Sequence, residues 1–239
     1  MTDILLLSLL TLIASIIGTV TGFGISTTMV QVLAFWLPLP LALLVAGIVH
    51  AANDVWKMLL FRSGLRWRLA LLFGVPGIAA AWAGASLVFS VDPEPLKAAL
   101  GIMIAAYAIF LLIKPAFKIK PTPTAAVVGG AFSAFIIALL GVGGPIRSAV
   151  LAAFNLPAAA YIATIGMASL FVDVTRIGVY LASGTALTGN LLYGMPIFIA
   201  ATFAGAAIAK RIVGRIPQRS FRSVVAVFLI AIGIGLWLN

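Results

Sequence analysis

The sequence predicts an all-α polytopic membrane protein made of two inverted repeats, each with about five hydrophobic segments. Three observations lead to this prediction. Hydrophobic residues make up 64% of the 239 residues and charged residues only 8%, so a water-soluble chain could not cover its surface with polar groups. Apolar runs recur along the whole chain. An internal repeat then relates the first half of the sequence to the second.

The apolar runs define the predicted helices in order. They cover residues 4–20, 25–36, 40–61, 67–90, 95–113, 124–140, 146–154, 158–182, 187–209 and 221–238. Most approach or exceed the roughly 18 residues that a helix needs to cross a hydrocarbon core about 30 Å thick. The first run follows Asp3, has no preceding Lys or Arg and lacks a clear cleavage pattern, so we interpret it as a membrane helix and not a signal peptide. The second and seventh runs are too short to span comfortably, and each lies between a glycine cluster and a proline.

The repeat appears when the chain is shifted by 119 residues against itself. This shift aligns Gly22 with Gly141, Pro38 with Pro157, Gly47 with Gly166, Asp54 with Asp173 and Lys57 with Arg176, and a shift of 120 aligns Pro76 with Pro196. Only five acidic residues occur in the chain, and the two inside apolar runs align. We predict a first inverted repeat at residues 1–120 and a second at 121–239, forming one integrated membrane domain.

The basic residues predict the orientation. They form three tracts, namely Arg62, Arg66 and Arg68; Lys114, Lys118 and Lys120; and Lys210, Arg211, Arg215, Arg219 and Arg222. The positive-inside rule places these tracts in the cytoplasm, so the net charge of +10 reflects topology and not a nucleic-acid partner. An odd number of segments inverts the second unit and puts both termini outside. Alternatively, each short segment forms a re-entrant hairpin with the helix before it, and the sequence does not choose between these arrangements.

The two aligned glycine clusters predict an anion site. Irregular backbone at membrane depth is tolerated only where it is buried or lines a cavity, and half-helix N-termini at the midplane face anionic substrates in inverted-repeat carriers. The predicted substrate-binding residues are Arg147, Ser26, Thr27, Thr28, Gly24, Gly143 and Gly144, with a guanidinium in one repeat facing hydroxyls in the other. Scattered glycines such as Gly74, Gly77 and Gly84 are interpreted as helix-packing residues.

Two charged pairs inside apolar runs form the second group of candidates. Asp54 with Lys57, and Asp173 with Arg176, are three residues apart and therefore share a helix face. Each is either an internal ion pair or a gate, the first toward the cytoplasm and the second toward the outside. His50 lies one turn before Asp54, and it either joins Asp54 in proton transfer or serves as a packing residue.

These residues carry a resemblance to a known family. Gly22-Phe23-Gly24 and Gly141-Val142-Gly143-Gly144-Pro145 each open a short segment that ends near a proline, and the loop Gly64-Leu65-Arg66-Trp67-Arg68 follows a long helix. In these features nearly the full chain resembles the sulfite exporter TauE/SafE family. The resemblance implies transport of sulfite, sulfoacetate or a related organosulfonate across the bacterial inner membrane, in the export direction.

The sequence therefore predicts a secondary anion transporter that works by alternating access in contact with membrane lipid. A passive anion channel is one alternative. An intramembrane enzyme using Asp54 and Asp173 is another, disfavoured by their opposite predicted depths and basic neighbours. No Gly-Lys-Ser/Thr motif follows Gly141, so ATP hydrolysis is not supported, and we expect no catalytic residue, cofactor or metal. Proton coupling and a homodimer both stay open.

Overall fold

The computed structural model describes residues 2–22, 25–34, 36–92, 95–96, 102 and 119–215. In these ranges the chain forms eight α-helices and no β-strand, which confirms the all-helical prediction. The helices are α1 (Thr2–Thr21), α2 (Ile25–Leu33), α3 (Leu39–Leu60), α4 (Trp67–Leu87), α5 (Pro123–Leu140), α6 (Gly144–Ala152), α7 (Ala158–Ala182) and α8 (Gly189–Val213), with a 3-10 turn at Arg62–Gly64. The run at 221–238, most of the run at 95–113, and Lys114, Lys118, Arg219 and Arg222 lie outside the described residues.

Six of these helices, namely α1, α3, α4, α5, α7 and α8, are long and apolar enough to cross a membrane. The other two, α2 and α6, have nine residues each. At a rise of 1.5 Å per residue, nine residues cover about 13 Å, which is less than half of a hydrocarbon core. The prediction that the second and seventh apolar runs are too short to span is therefore confirmed.

The short helices begin after turns that require glycine. Gly22 follows α1 with a φ of +83°, and Gly141 follows α5 with a φ of +79°. Both values lie in the left-handed region, where a Cβ atom is strained, and this conformation commonly ends a helix. Helices α2 and α6 begin and end 119 residues apart, and α3 and α7 also begin 119 residues apart.

The central helices of the described bundle are α3 and α7. In each of them 61% of the apolar segment is buried, compared with 33–44% in the other four long helices. The most extensive helix contacts are α4 with α5, α1 with α8, α3 with α7, α4 with α7, and α3 with α8. Each of these pairs joins the first half of the chain to the second.

Small residues allow the peripheral helices to approach closely. A Cβ atom placed on Gly84 of α4 would lie 2.4 Å from the carbonyl oxygen of Phe135 on α5. A Cβ atom on Gly74 would lie 2.3 Å from the Phe171 ring on α7, and one on Gly77 would lie 3.1 Å from the side chain of Val172. The interpretation of these three glycines as packing residues is confirmed.

Candidate functional site

The crossing of α3 and α7 brings one glycine of each helix close to the other helix. A Cβ atom on Gly47 of α3 would lie 3.6 Å from Cζ of Arg176 on α7. A Cβ atom on Gly166 of α7 would lie 3.1 Å from Cβ of Lys57 on α3. The long basic side chain of each helix therefore packs against the glycine of the other helix.

Both predicted charged pairs form as ion pairs, and all four side chains are buried. Lys57 Nζ donates to Asp54 Oδ1 over 2.8 Å. Arg176 Nε donates to Asp173 Oδ1 over 2.9 Å, and its Nη2 atom lies 2.8 Å from the same oxygen. The spacing of three residues places each acid and base on one helix face, as the sequence predicted. Within each pair the two charges compensate each other in an environment that would otherwise strongly disfavour them.

His50 joins the two pairs into one group. Its Nδ1 atom lies 2.7 Å from Asp173 Oδ2 and 3.3 Å from Asp54 Oδ2. The prediction that the pairs lie toward opposite faces of the membrane is therefore wrong. The charged residues lie where α3 and α7 cross. One helix from each half of the chain therefore brings its carboxylate to the same imidazole. We call His50, Asp54, Lys57, Asp173 and Arg176 the charge centre.

Arg147 lies near the charge centre, on α6. Its Nε atom donates to Ser133 Oγ over 3.4 Å, and its Nη1 atom donates to Ser169 Oγ. Its Nη2 atom is buried without a hydrogen-bond partner. No carboxylate of the described residues lies within ion-pair distance of this guanidinium. A buried guanidinium with a free donor and no acidic partner has the charge and the donor geometry to bind an anion.

The hydroxyls predicted to face Arg147 occupy different positions. Ser26 Oγ accepts from Arg176 Nη1 over 3.3 Å, and that Arg147 faces the hydroxyls of the other repeat stays a prediction. Thr27 is buried and its Oγ1 atom has no partner, whereas Thr28 is only partly buried. Arg147 instead bonds to serines of its own half, because α6 packs against α5 and α7.

Some site residues were missed by the sequence interpretation. Ser133 and Ser169 accept hydrogen bonds from Arg147, and Ser148 is buried on the same helix as Arg147. Ser169 aligns with His50 under the shift of 119 residues, so the repeat could have identified Ser169 as a candidate site residue. Ser133 aligns with Ala14 and gave no such signal.

The two helix breaks lie close to each other. Tyr161 OH donates to the carbonyl oxygen of Thr21 over 2.9 Å and lies 3.5 Å from the carbonyl oxygen of Ser148. The Tyr161 ring packs against Gly22, where a Cβ atom would lie 2.8 Å from the ring. One side chain of α7 thus contacts the end of α1 and the middle of α6.

The backbone of α6 starts at Gly144, with Gly143 as its N-cap residue. A Cβ atom on Gly143 would lie 1.9 Å from the carbonyl oxygen of Ser133, so only glycine fits there. The backbone N–H groups in the first turn of a helix have no partner within it, and Arg147 follows them directly. Gly24, the corresponding glycine before α2, lies outside the described residues.

A comparison with family models decides the family. The model described as Sulfite exporter TauE/SafE matches residues 7–236. The chain belongs to the sulfite exporter TauE/SafE family. Comparisons with curated proteins and with solved structures gave no match. Because TauE/SafE proteins are membrane transporters, the family and the six long apolar helices together identify a multi-pass membrane protein, and they agree with the expectation that it is not an enzyme.

Asn53 belongs to a second buried polar group of this TauE/SafE protein. Its Oδ1 atom accepts from Ser15 Oγ over 2.6 Å and from Thr19 Oγ1 over 3.2 Å. Ser15 also lies 2.8 Å from the carbonyl oxygen of Thr202 on α8. Asn53 therefore ties α3 to α1 and α8, and it is separate from the charge centre.

The donor atoms of His50, Asp54 and Asp173 all lie within 4.8 Å of one another, a spacing that a metal ion could bridge. Both carboxylates are already ion-paired, however, with Lys57 and Arg176. A divalent cation would add positive charge to a region that already contains more buried cations than anions. The arrangement therefore fits an ion-pair network better than a metal centre.

Proposed function

We propose that this protein is a secondary transporter that exports a small sulfur-containing anion, such as sulfite, sulfoacetate or a related organosulfonate, across the bacterial inner membrane. The family supports transport of such an anion. The single observation that carries the proposal is the buried guanidinium of Arg147, which has a free donor and no carboxylate partner among the described residues.

The substrate in this proposal binds between the starts of α2 and α6. Arg147 supplies the charge, and the buried hydroxyl of Thr27 supplies a neutral donor without a protein partner. The remaining proposed ligands are Ser26, Thr28 and the backbone of Gly24, Gly143 and Gly144. The positive ends of two short helices add to the field that favours an anion. Oxygen atoms of a sulfur oxyanion can accept from several of these donors at once.

Two inverted repeats, residues 1–120 and 121–239, provide the proposed framework, with both termini outside. The shared boundaries of α2 with α6 and of α3 with α7 support a duplication. The aligned left-handed glycines at the two breaks support it further. Because α2 and α6 are too short to cross by themselves, we propose that they are either halves of broken helices or parts of re-entrant hairpins.

The charge centre is the proposed gate. Asp54 and Lys57 come from the first half of the chain, Asp173 and Arg176 come from the second, and His50 contacts both acids. Alternating access moves one repeat against the other, so a rearrangement between the halves would break or re-form the contact between His50 and Asp173. A single shared gate therefore replaces the two separate gates of the sequence-based prediction.

Transport by purified protein in proteoliposomes tests this proposal. Arg147→Gln should abolish sulfite-dependent flux while the variant still purifies as a folded monodisperse protein. Arg62→Ala, which removes an exposed charge instead, should transport normally. Normal flux in Arg147→Gln would remove the central claim. Flux that does not saturate with sulfite and proceeds at channel rates would instead favour a passive anion channel.

A further inference from the structure

The buried charges around Arg147 do not balance. Lys57, Arg147 and Arg176 are buried cations, and Asp54 and Asp173 are buried carboxylates. Arg147 donates to Ser169, which lies one helical turn before Asp173 on α7. With each of these five groups in its ordinary ionised form, the three cations and two carboxylates sum to a formal charge of +1 while His50 is neutral.

His50 is the imidazole of this region, and it contacts both carboxylates. Its Nδ1 atom faces a carboxylate oxygen of Asp173 at 2.7 Å and one of Asp54 at 3.3 Å. A nitrogen lone pair facing two carboxylates would be repelled, so the Nδ1 atom carries a hydrogen. Gain or loss of a proton then takes place at Nε2. A proton bound there raises the net charge of the region from +1 to +2.

We infer that His50 sets the charge of the anion that the site accepts. With neutral His50 the site matches a monoanion, and with protonated His50 it matches a dianion. Binding of a dianion is then accompanied by uptake of one proton at Nε2 of His50. This inference rests on the proposed function and deepens it, because it names the charge class of the substrate and the residue that selects it.

The physical reason is the cost of unbalanced charge away from water. An uncompensated charge in a low-dielectric interior costs several kcal/mol. Each protonation state of His50 therefore favours the anion that brings the sum of buried charges to zero. The sum includes the two carboxylates that contact His50, namely Asp54 on its own helix and Asp173 on α7. It also includes their partners Lys57 and Arg176, and the buried Arg147 on α6.

Anions of fixed charge test the inference directly. Sulfate and thiosulfate stay dianions between about pH 5.5 and about pH 8.5, where a histidine titrates, and methanesulfonate and ethanesulfonate stay monoanions. Isothermal titration calorimetry on wild-type protein in detergent, repeated in buffers with different heats of ionisation, measures both the affinity and the protons exchanged.

The two charge classes should respond to pH in different ways. Dianion affinity should fall by up to about tenfold per pH unit as the pH rises, with about one proton taken up per anion. Monoanion affinity should not fall. In His50→Asn, which keeps a donor toward the carboxylates but cannot gain a proton, the pH dependence of dianion binding should disappear. His50→Gln repeats this measurement if the first variant does not fold.

The wild-type comparison decides the matter even if both variants fail to fold. The same pH dependence for both classes, or dianion binding without proton uptake, would overturn the inference and leave the proposed function intact. Failure of all these probes to bind folded wild-type protein would also contradict it. The sulfite flux of Arg147→Gln tests the proposed function independently.

Discussion

The Nδ1 atom of His50 lies 2.7 Å from Oδ2 of Asp173, and this contact connects the two halves of the chain at the crossing of α3 and α7. It makes the two ion pairs interdependent, because Asp54 and Asp173 share one imidazole. The two acids lie close together, so separation does not disfavour an intramembrane enzyme. Their basic neighbours do, because Asp54 pairs with Lys57 and Asp173 pairs with Arg176, which leaves neither acid ready to share a proton as an acid–base dyad would.

Removing one member of an ion pair should destabilise the protein strongly. Asp173→Asn leaves the buried guanidinium of Arg176 without its carboxylate, and losing one partner of a buried pair costs about 3–5 kcal/mol. We expect a clear drop in the midpoint of thermal unfolding in detergent. Asp92→Asn, at an exposed position, is the matched control and should have little effect.

A double substitution separates lost pairing from other effects of this change. Adding Arg176→Gln to Asp173→Asn removes the uncompensated charge, so part of the lost stability should return. If Asp173→Asn unfolds at the same temperature as Asp92→Asn, the ion pair does not stabilise the fold as described.

Glycine at position 143 should be essential to the α5–α6 break. In Gly143→Ala the new methyl group would lie 1.9 Å from the carbonyl oxygen of Ser133, a distance that requires the backbone to move. We expect a low yield of folded protein and a lower thermal midpoint. Gly178→Ala on α7 meets no atom within 4 Å, and it should be neutral or should stabilise the helix by up to about 1 kcal/mol. Equal behaviour of the two variants would contradict the packing described.

Asn53 should contribute to stability and not to transport. Asn53→Val removes the acceptor for Ser15 and Thr19, and losing a buried hydrogen-bond partner costs about 1–3 kcal/mol. We expect a lower thermal midpoint with unchanged sulfite flux per folded molecule in proteoliposomes. A selective loss of flux at normal stability would place Asn53 in the transport path instead.

Much of the fold was predictable because helix boundaries depend on local sequence. The apolar run at 158–182 coincides with α7, and the run at 25–36 begins where α2 begins. Glycine and proline mark these boundaries for local conformational reasons. The ion pairs were predictable for the same reason, since a spacing of three residues fixes a shared helix face.

The relative positions of distant side chains were not predictable. Loop charges indicated which face of the membrane each loop occupies, and from this the two ion pairs were expected at different depths. The close contacts of Gly47 and Gly166 at the crossing of α3 and α7 are visible only when both helices are placed together. The partners of Arg147 depend in the same way on the packing of α6 against α5 and α7.

The pairing of Asp54 with Lys57 on one helix also has a consequence for biosynthesis. Synthesis proceeds from the N-terminus, so α3 is made before α7, the helix of the second half that it contacts. During this interval no group from the second half is present to compensate its charges. Because the acid and the base are one turn apart, each compensates the charge of the other while α3 is in the lipid. The second half of the chain can then insert later and pack against α3.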